Sequence, residues 1–469
     1  MRNQKSTKIV ATIGPATESV ETLTALIKAG MNVARFNTKH ATPEWHDEKM
    51  KRVRKISEDL DMAVGILIDL QGPEVRIDLP EEKSFLVKSG EKAIFTSNTE
   101  KKDDKVAHIP QEVIDCMSED SLILLDDGAC EFIVTDVSDT EIKVEAVVDC
   151  EVKHRKTMNT PGTILGMPSI TPRDIDYLDN IDSELIDYVG LSFVRDTKDI
   201  ENLKEELSKR NIDAAIISKI ENQAALDNLD EIIAESDAIM IARGDLGVEV
   251  EYQQLVFWQK EIIRKCRYAA KPVITATQML KSMVDSPRPT RAEVSDVANA
   301  VYDGTDAVML SEETTIGKYP VKSVETQAEI SLYNEGKTSH EMEWPKNIDS
   351  SLNITSNAAN LLFHSEQQID KIVCLTETGR TVRLISRFRP TQPIYAITHL
   401  PDTYHRLSLT YGAKPYLIDF PDGKIELGEE LIKKFEQEGI TKKGETVLFI
   451  HGTVWKKPGL TNTLSLINT

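Results

Sequence analysis

The sequence predicts an α/β protein of three units: a (β/α)8 TIM barrel, a small all-β barrel inserted into it as a lid, and a C-terminal doubly wound α/β domain. Three observations predict this. Short β-branched runs alternate with amphipathic helical stretches as far as about Glu335. Between Gly72 and about Leu165 the period changes to short alternating strands. Beyond Glu335 a polar stretch, Gly336-Lys337-Thr338-Ser339-His340-Glu341, reads as a linker before a second strand–helix series. A length of 469 residues fits three domains at about 100–200 residues each. The expected boundaries are 1–71 and 166–335 for the barrel, 72–165 for the lid, and 336–469 for the last domain.

Eight barrel strands are expected at Lys8 to Ile13, Asn32 to Asn37, Val64 to Asp69, Asp187 to Phe193, Ala214 to Ser218, Ala238 to Ala242, Pro272 to Thr277 and Asp306 to Leu310. In the first connecting helix Ser19 is the N-cap, Leu23, Leu26 and Ile27 share a face, and Gly30 closes it. Thr290-Arg291-Ala292-Glu293 has capping-box spacing ahead of Val294, Val297, Ala298 and Val301. The insert shows strands at Ser121 to Leu125, Glu131 to Val137 and Glu141 to Val148, with Asp126-Asp127-Gly128 as a turn. It leaves the barrel after the third strand, on the C-terminal face where barrel enzymes keep their chemistry, so a lid is expected. The last unit shows a helix at Leu352 to His364, strands at Lys371 to Leu375, Pro393 to Thr398 and Thr446 to Ile450, and a helix after Arg380.

Composition narrows the function classes. Lys plus Arg number 56 against 77 Asp plus Glu, a formal net charge of −21, and so acidic a surface repels nucleic acid and anionic membrane. The five cysteines (Cys116, Cys130, Cys150, Cys266, Cys374) include no C-x-x-C pair, so neither a zinc ribbon nor a disulfide framework is written, and a reducing cytoplasm is expected. No apolar leader or membrane-length apolar run is seen. Walker A, G-x-G-x-x-G and H-E-x-x-H patterns are absent.

The ends of the predicted strands carry a polar series: Arg35 and Asn37, Asp69, Ser192, Lys219 and Glu221, Arg243 and Asp245, Thr277, then Ser311 and Glu313. A single charged residue after a strand is commonly a helix cap or loop ion pair, so the coincidence carries the case: barrel geometry aims all of these at one cavity. Glu221 and Asp245 suit a hard cation such as Mg2+, which takes one or two carboxylates and completes its shell with water and substrate phosphate oxygens. That implies a phosphorylated substrate. Lys219 is a cation two residues from a metal carboxylate, placed to neutralise a transferring phosphoryl group. The glycines of Ala242-Arg243-Gly244-Asp245-Leu246-Gly247 let backbone approach a ligand closely.

These residues lie in blocks that resemble the pyruvate kinase family along nearly the whole chain. The blocks are Lys8-Ile9-Val10-Ala11-Thr12-Ile13-Gly14-Pro15, Gly30 to Arg35, Gly72-Pro73-Glu74-Val75-Arg76, Ser218 to Asn222, Ala242 to Gly247, Pro272 to Leu280 and Pro287 to Ala300. The resemblance implies a Mg2+- or Mn2+-dependent glycolytic enzyme that moves phosphate between phosphoenolpyruvate and ADP, and a homotetramer. It implies that Glu221 and Asp245 hold the metal, Lys219 stabilises the phosphoryl group, Arg35 grips the phosphate, and the Gly244 and Asp245 amides with Thr277 hold the substrate carboxylate. Thr277, Ser311 and Glu313 lie where the enolate carbon is protonated. Asn37, His40, Arg76 and Arg173 border the nucleotide, and Asn37, Asp69 and Leu70 form the monovalent-cation site.

The chain departs from the family pattern at four points. Lys39 stands where a serine usually helps to bind K+, and two readings are open: its ammonium replaces that ion, or it points to solvent. Glu312 puts a second carboxylate beside Glu313, either shifting it or facing water. Arg173 replaces a lysine that reaches the nucleotide. Thr378 replaces a serine in Thr376-Glu377-Thr378-Gly379-Arg380-Thr381, which resembles the family's sugar-phosphate effector loop with Lys456 and Lys457 in support. Two alternatives stay open: a phosphotransferase of the same mechanism with another acceptor, and an idle paralogue that binds metabolites.

Overall fold

The computed structural model describes residues 5–337, 349–366, 368–419, 423–425, 429–457, 459 and 461–469. Of the expected linker, Gly336 and Lys337 fall within these, while Thr338 to Glu341 lie outside the described residues.

Eight parallel strands close into a barrel in sequence order: Lys8–Thr12, Val33–Asn37, Gly65–Asp69, Tyr188–Leu191, Ala215–Ile220, Ala238–Ala242, Val273–Ala276 and Ala307–Leu310. The first pairs with the eighth, Lys8 opposite Ala307. These strands are apolar on both faces because both are covered. Val10, Val33, Leu67, Ile217, Met240, Ile274 and Met309 pack inside the barrel, and Ile9, Ile66, Ile239 and Val308 pack outward beneath the helices. The helix ends follow the sequence chemistry. Ser19 Oγ accepts from the Thr22 amide at 3.1 Å, and Gly30 ends the helix Val20–Ala29 at φ +117°, where a side chain would be strained. Thr290 and Glu293 form a reciprocal capping box on the helix Arg291–Asp303.

The insert has its own core around Phe95 and Phe132, under a six-stranded sheet that contains Leu122–Leu125, Cys130–Val137 and Glu141–Ala146. Both chain passages into it are tied to the barrel. On the way out, the Asp174 carboxylate accepts from the Gln71 and Gly72 amides at 3.0 and 3.3 Å, and Gly72 takes φ +67°. A Cβ on Gly72 would sit 2.9 Å from Ser192 Cβ. On the way back, Arg195 Nη1 donates to the Leu165 and Met167 carbonyls at 2.8 and 2.9 Å while Asp199 holds the same guanidinium.

The last unit is a five-stranded sheet in the order Ala413–Leu417, Ile394–Thr398, Lys371–Leu375, Thr446–Gly452, Thr461–Asn468. The first four are parallel and the last is antiparallel. Neither edge strand is expected from the sequence. Ala413–Leu417 contains Pro415, tolerated because an edge strand leaves one side unpaired, and Thr461–Asn468 is largely polar and half-exposed. The domain docks under the barrel through a buried Arg389–Asp306 ion pair at 2.7 Å and a Lys8 Nζ bond to the Ala413 carbonyl at 2.6 Å. Among the described residues no helix is long and apolar enough to cross a membrane.

Candidate active site

The polar series converges at the C-terminal mouth of the barrel, under the lid. Lys219 is in the fifth strand, and Glu221 follows its last residue. Lys219 Nζ is 2.8 Å from Glu221 Oε1, 2.7 Å from Ser192 Oγ and 3.5 Å from Asp69 Oδ1. Glu221 Oε2 accepts from the Phe193 amide at 2.7 Å, with Phe193 itself at φ +54°. Arg35 completes the group: Nη2 pairs with Asp69 Oδ2 at 2.6 Å and Nη1 donates to Thr12 Oγ1 at 2.9 Å. Burial opposes ionisation of Asp69, yet Lys219 and Arg35 hold it below the usual carboxylate range. Burial opposes the Lys219 charge too, and Asp69 and Glu221 overcome this to hold the ammonium firmly protonated.

Glu221 and Asp245 are electrostatically linked. Burial pushes Glu221 up to about 7 against the pull of Lys219, and the Asp245 charge adds to the rise. Burial likewise raises Asp245. Its carboxylate forms no hydrogen bond or ion pair among the described residues. Two buried carboxylates that resist ionising together, one with free oxygens, fit a hard divalent cation, which removes the cost of their charge. No cluster of three or more metal-binding side chains occurs among the described residues, so such an ion would complete its shell from water and substrate.

Thr277 caps the seventh strand at φ +69°, which is costly for a β-branched residue. Three bonds hold it there. Gly244 N donates to Thr277 Oγ1 at 2.9 Å, and Arg243 donates through Nη2 to the Thr277 carbonyl at 2.7 Å and through Nε to the Ala276 carbonyl at 3.1 Å. Asp296 fixes that guanidinium with bonds of 2.6 and 2.7 Å. Arg243 is therefore directed at the loop that carries Thr277 rather than into the cavity. Opposite, the buried Glu313 accepts from the Ser311 amide at 2.8 Å and the Leu280 amide at 3.0 Å, bracing two loops. Glu312 is half-exposed and pairs with Lys281, so of the two expectations for it, facing water is the one observed.

At the rim, Lys39 departs from expectation. Its amide donates to Asn37 Oδ1 at 3.1 Å, but its ammonium turns to Glu74 at 2.7 Å instead of reaching Asp69. Glu74 takes the Lys39 ammonium together with Arg76, whereas Asp69 is already held by Arg35. Asp69 Oδ1 is left buried without a hydrogen-bond partner. The Leu70 carbonyl accepts from Ser192 Oγ at 2.7 Å. Arg76 reaches Glu74 and the Arg155 carbonyl, and Arg173 Nη2 donates to the Lys39 carbonyl at 3.2 Å. Partial burial, and after it the charges of Lys39, Arg35 and Arg76, hold His40 below its usual value.

In the C-terminal domain, Thr376, Thr378, Arg380 and Thr381 line a small cavity with Lys457 and Trp455. Gly379 N donates to Thr376 Oγ1 at 3.0 Å, and Gly379 takes φ +75°. The Glu377 carboxylate accepts from the Lys456 amide at 2.9 Å. Lys456 turns its own ammonium to Asp419 at 3.3 Å.

Sequence reasoning missed Glu74, Phe193, Asp174 and Asp296. Glu74 and Asp296 lay inside quoted blocks but pair with residues distant in sequence, Asp174 forms a capping box with Thr171 while its role at Gln71 and Gly72 is long-range, and Phe193 carries no local signal.

A (β/α)8 barrel whose mouth gathers two metal-type carboxylates, a buried lysine and an arginine under an inserted β domain defines a phosphoryl-transfer enzyme of the barrel class. Family models described as pyruvate kinase, barrel domain, and pyruvate kinase, alpha/beta domain, match residues 4–324 and 354–467. A pyruvate kinase of Bacillus licheniformis is 39% identical over 469 aligned residues, covering 98% of this chain and 80% of the relative. One of Staphylococcus haemolyticus is 38% identical with the same coverage. The crystal structure of a pyruvate kinase from Cryptosporidium parvum superposes with a TM-score of 0.90 at 32% identity, covering 99% of this chain and 96% of that one. The chain belongs to the pyruvate kinase family and is an enzyme of that activity.

Proposed function

We propose that phosphoenolpyruvate binds with its phosphate between Arg35 and Lys219 and its carboxylate toward the turn at Gly244, Asp245 and Thr277. The nucleotide phosphates of ADP then lie along Asn37, His40, Arg76 and Arg173 at the rim. The observation that carries this reading is the Lys219 ammonium, held between Ser192 Oγ at 2.7 Å and Glu221 at 2.8 Å and kept charged by its neighbours. A buried, fixed cation at that point needs no reorganisation when negative charge spreads over the moving phosphoryl oxygens. Glu221 and Asp245 would hold Mg2+ or Mn2+, which supplies Lewis-acid neutralisation of phosphoryl charge. Lys219 keeps its proton throughout and orients the group in transfer. Thr277 and Ser311 border the face on which the enol carbon gains a proton, with Glu313 fixing the Ser311 backbone. The lid, tied at Asp174 and Arg195, excludes water that would otherwise intercept the phosphoryl group.

Lys39 supports turnover without K+. Its ammonium, held by Glu74 at 2.7 Å, keeps a positive charge at the rim two residues from Asn37, where family members use the ion. The cavity around Thr376, Thr378, Gly379, Arg380 and Thr381 suits a sugar-phosphate effector, with Lys457 for its charge. Exposed Tyr252, Val256 and Phe257 form an apolar strip on the barrel flank suited to a second copy of the chain, as a homotetramer requires. The cytoplasm is the proposed location. The test is pyruvate formed from phosphoenolpyruvate and each nucleoside diphosphate, with Mg2+ or Mn2+ and with or without K+. The reading requires product with ADP, none without divalent metal, and no demand for K+.

A further inference from the structure

Between the base of the barrel and the C-terminal domain runs a cleft of about 630 Å3, lined by Asp237, Tyr268 and Lys271 on one wall and by Arg383 and Arg387 of the last domain on the other. A narrower recess at its inner end adds Arg267 and Arg389. Three of these cations lack a carboxylate partner, while Arg389 pairs with Asp306. Arg267, Lys271 and Arg383 form no ion pair with any carboxylate among the described residues. Lys271 Nζ meets only the Ala234 and Ser236 carbonyls, at 3.2 and 2.6 Å, and Arg383 Nη1 only the Thr378 carbonyl, at 3.1 Å. Arg267 Nε is buried with no partner at all. Arg387 lies over the Tyr268 ring at 5.2 Å.

The carboxylates that face this cleft are committed elsewhere. Asp306 takes the Arg389 guanidinium at 2.7 Å and the Val273 and Tyr411 amides at 3.2 and 3.0 Å. Asp237 Oδ2 accepts from the Ile216 amide at 2.9 Å. Burial, and the crowding of like charges, pulls Arg267 down to about 10 and also lowers Lys271 and Arg383. Cations packed together without counter-charge cost the folded state free energy, most where water is excluded. Asp306 near Arg267, and Asp237 near Lys271 and Arg383, offset part of that cost, but neither forms an ion pair with these three cations, although the chain carries a net charge of −21. Planar guanidinium groups beside an ammonium match a phosphate oxygen set, which accepts forked N–H donors better than any neutral ligand does.

We propose that this cleft binds a phosphate group, as inorganic phosphate or as a phosphomonoester, on Arg267, Lys271 and Arg383. The bound group bridges barrel and C-terminal domain, since Arg267 and Lys271 belong to the barrel and Arg383 to the helix Arg380–Ser386. Through the Arg383 bond to Thr378, occupancy also tightens the loop around Gly379. Arg380 lines both this cleft and that loop's own cavity, but Arg267, Lys271 and Arg383 do not line the latter, and the site is independent of the catalytic assignments.

The full chain, with Mg2+ and saturating phosphoenolpyruvate filling the barrel mouth, is titrated with inorganic phosphate by calorimetry. The parent, an Arg267→Gln/Lys271→Gln double variant and a Thr378→Asp variant are compared. The double variant is expected to bind phosphate at least tenfold more weakly and to keep its turnover in phosphate-free buffer, while the Thr378→Asp variant binds it as the parent does. Equal phosphate affinity in parent and double variant overturns the proposal, as does loss confined to Thr378→Asp. A second readout covers folding: without phosphate the double variant melts no lower than the parent, because two uncompensated charges are gone, whereas a lower melting temperature speaks for a structural role and overturns it. Repeating the titration with a hexose monophosphate identifies the source: tighter binding than inorganic phosphate assigns the cleft to a phosphomonoester, and equal binding to free phosphate.

Discussion

Lys219 and Glu221, two residues apart at one strand end, face each other at 2.8 Å, while the Phe193 amide holds the far oxygen of the same carboxylate at 2.7 Å. Glu221 therefore keeps the lysine charged and in place, and in the proposed function it also offers its charge, with Asp245, to a divalent ion.

Glu221→Gln keeps the shape and one hydrogen bond but removes the charge. Turnover is expected to fall by about 100- to 1000-fold or more, the scale of losing one preorganised electrostatic group. Far-UV circular dichroism should match the parent, and Mn2+ binding followed by electron paramagnetic resonance should weaken. Parent-like Mn2+ affinity in the variant would remove Glu221 from the metal site.

Lys39→Ser puts a neutral side chain beside Asn37 and leaves Glu74 to Arg76 alone, while Asp69 Oδ1 already lacks a hydrogen-bond partner. Assayed with and without K+, the parent is expected to turn over equally, whereas the variant needs the ion. Strong K+ activation of the parent would show that the Lys39–Glu74 pair does not stand in for it.

The barrel was legible because a parallel strand covered on both faces writes an apolar run, and because strand-end residues aim at one mouth whatever the helices between them do. Lys219, Glu221 and Arg35 were readable for that reason. The rotamer of Lys39 was not: a long side chain chooses among carboxylates by distance in space, and Glu74 comes from the start of the lid. Arg243 likewise looked like a cavity residue, and only its contacts with Asp296 and the Thr277 carbonyl show that it faces backward. The edge strand Thr461–Asn468 escaped notice because half-exposed polar strands lack the alternation that marks a covered one.

His405 supplies the pH dependence of the junction between the third barrel strand and the C-terminal domain. Burial, with Arg54 nearby, lowers it from 6.5 to about 3. A histidine whose folded value is depressed binds fewer protons in the native than in the unfolded state between those two values, so stability falls as pH drops through that window. The melting temperature of the parent should decline below pH 6.5, and His405→Gln should decline less steeply. Identical slopes would place the acid sensitivity elsewhere.

Asp296 tests whether the strain at Thr277 is functional. Thr277 sits at φ +69°, a conformation costing about 1–3 kcal/mol, and no bond from its own strand compensates. Arg243 does so from the sixth strand end, but only while Asp296 holds the guanidinium at 2.6 and 2.7 Å. Asp296→Ala releases Arg243, lets Thr277 relax toward ordinary backbone, and turns Oγ1 away from the Gly244 amide. Because Asp296 lies outside the cavity wall and binds no substrate, its loss should lower kcat by about 10- to 100-fold, the scale of a small misplacement of reacting groups. Nucleotide KM should stay unchanged, since Asn37, His40 and Arg76 lie on the opposite rim. Asp296→Asn, which can still accept from Arg243, should recover part of the loss. Parent-like kcat in Asp296→Ala would mean that the Thr277 geometry is held by its other contacts alone, and that Arg243 is a packing residue.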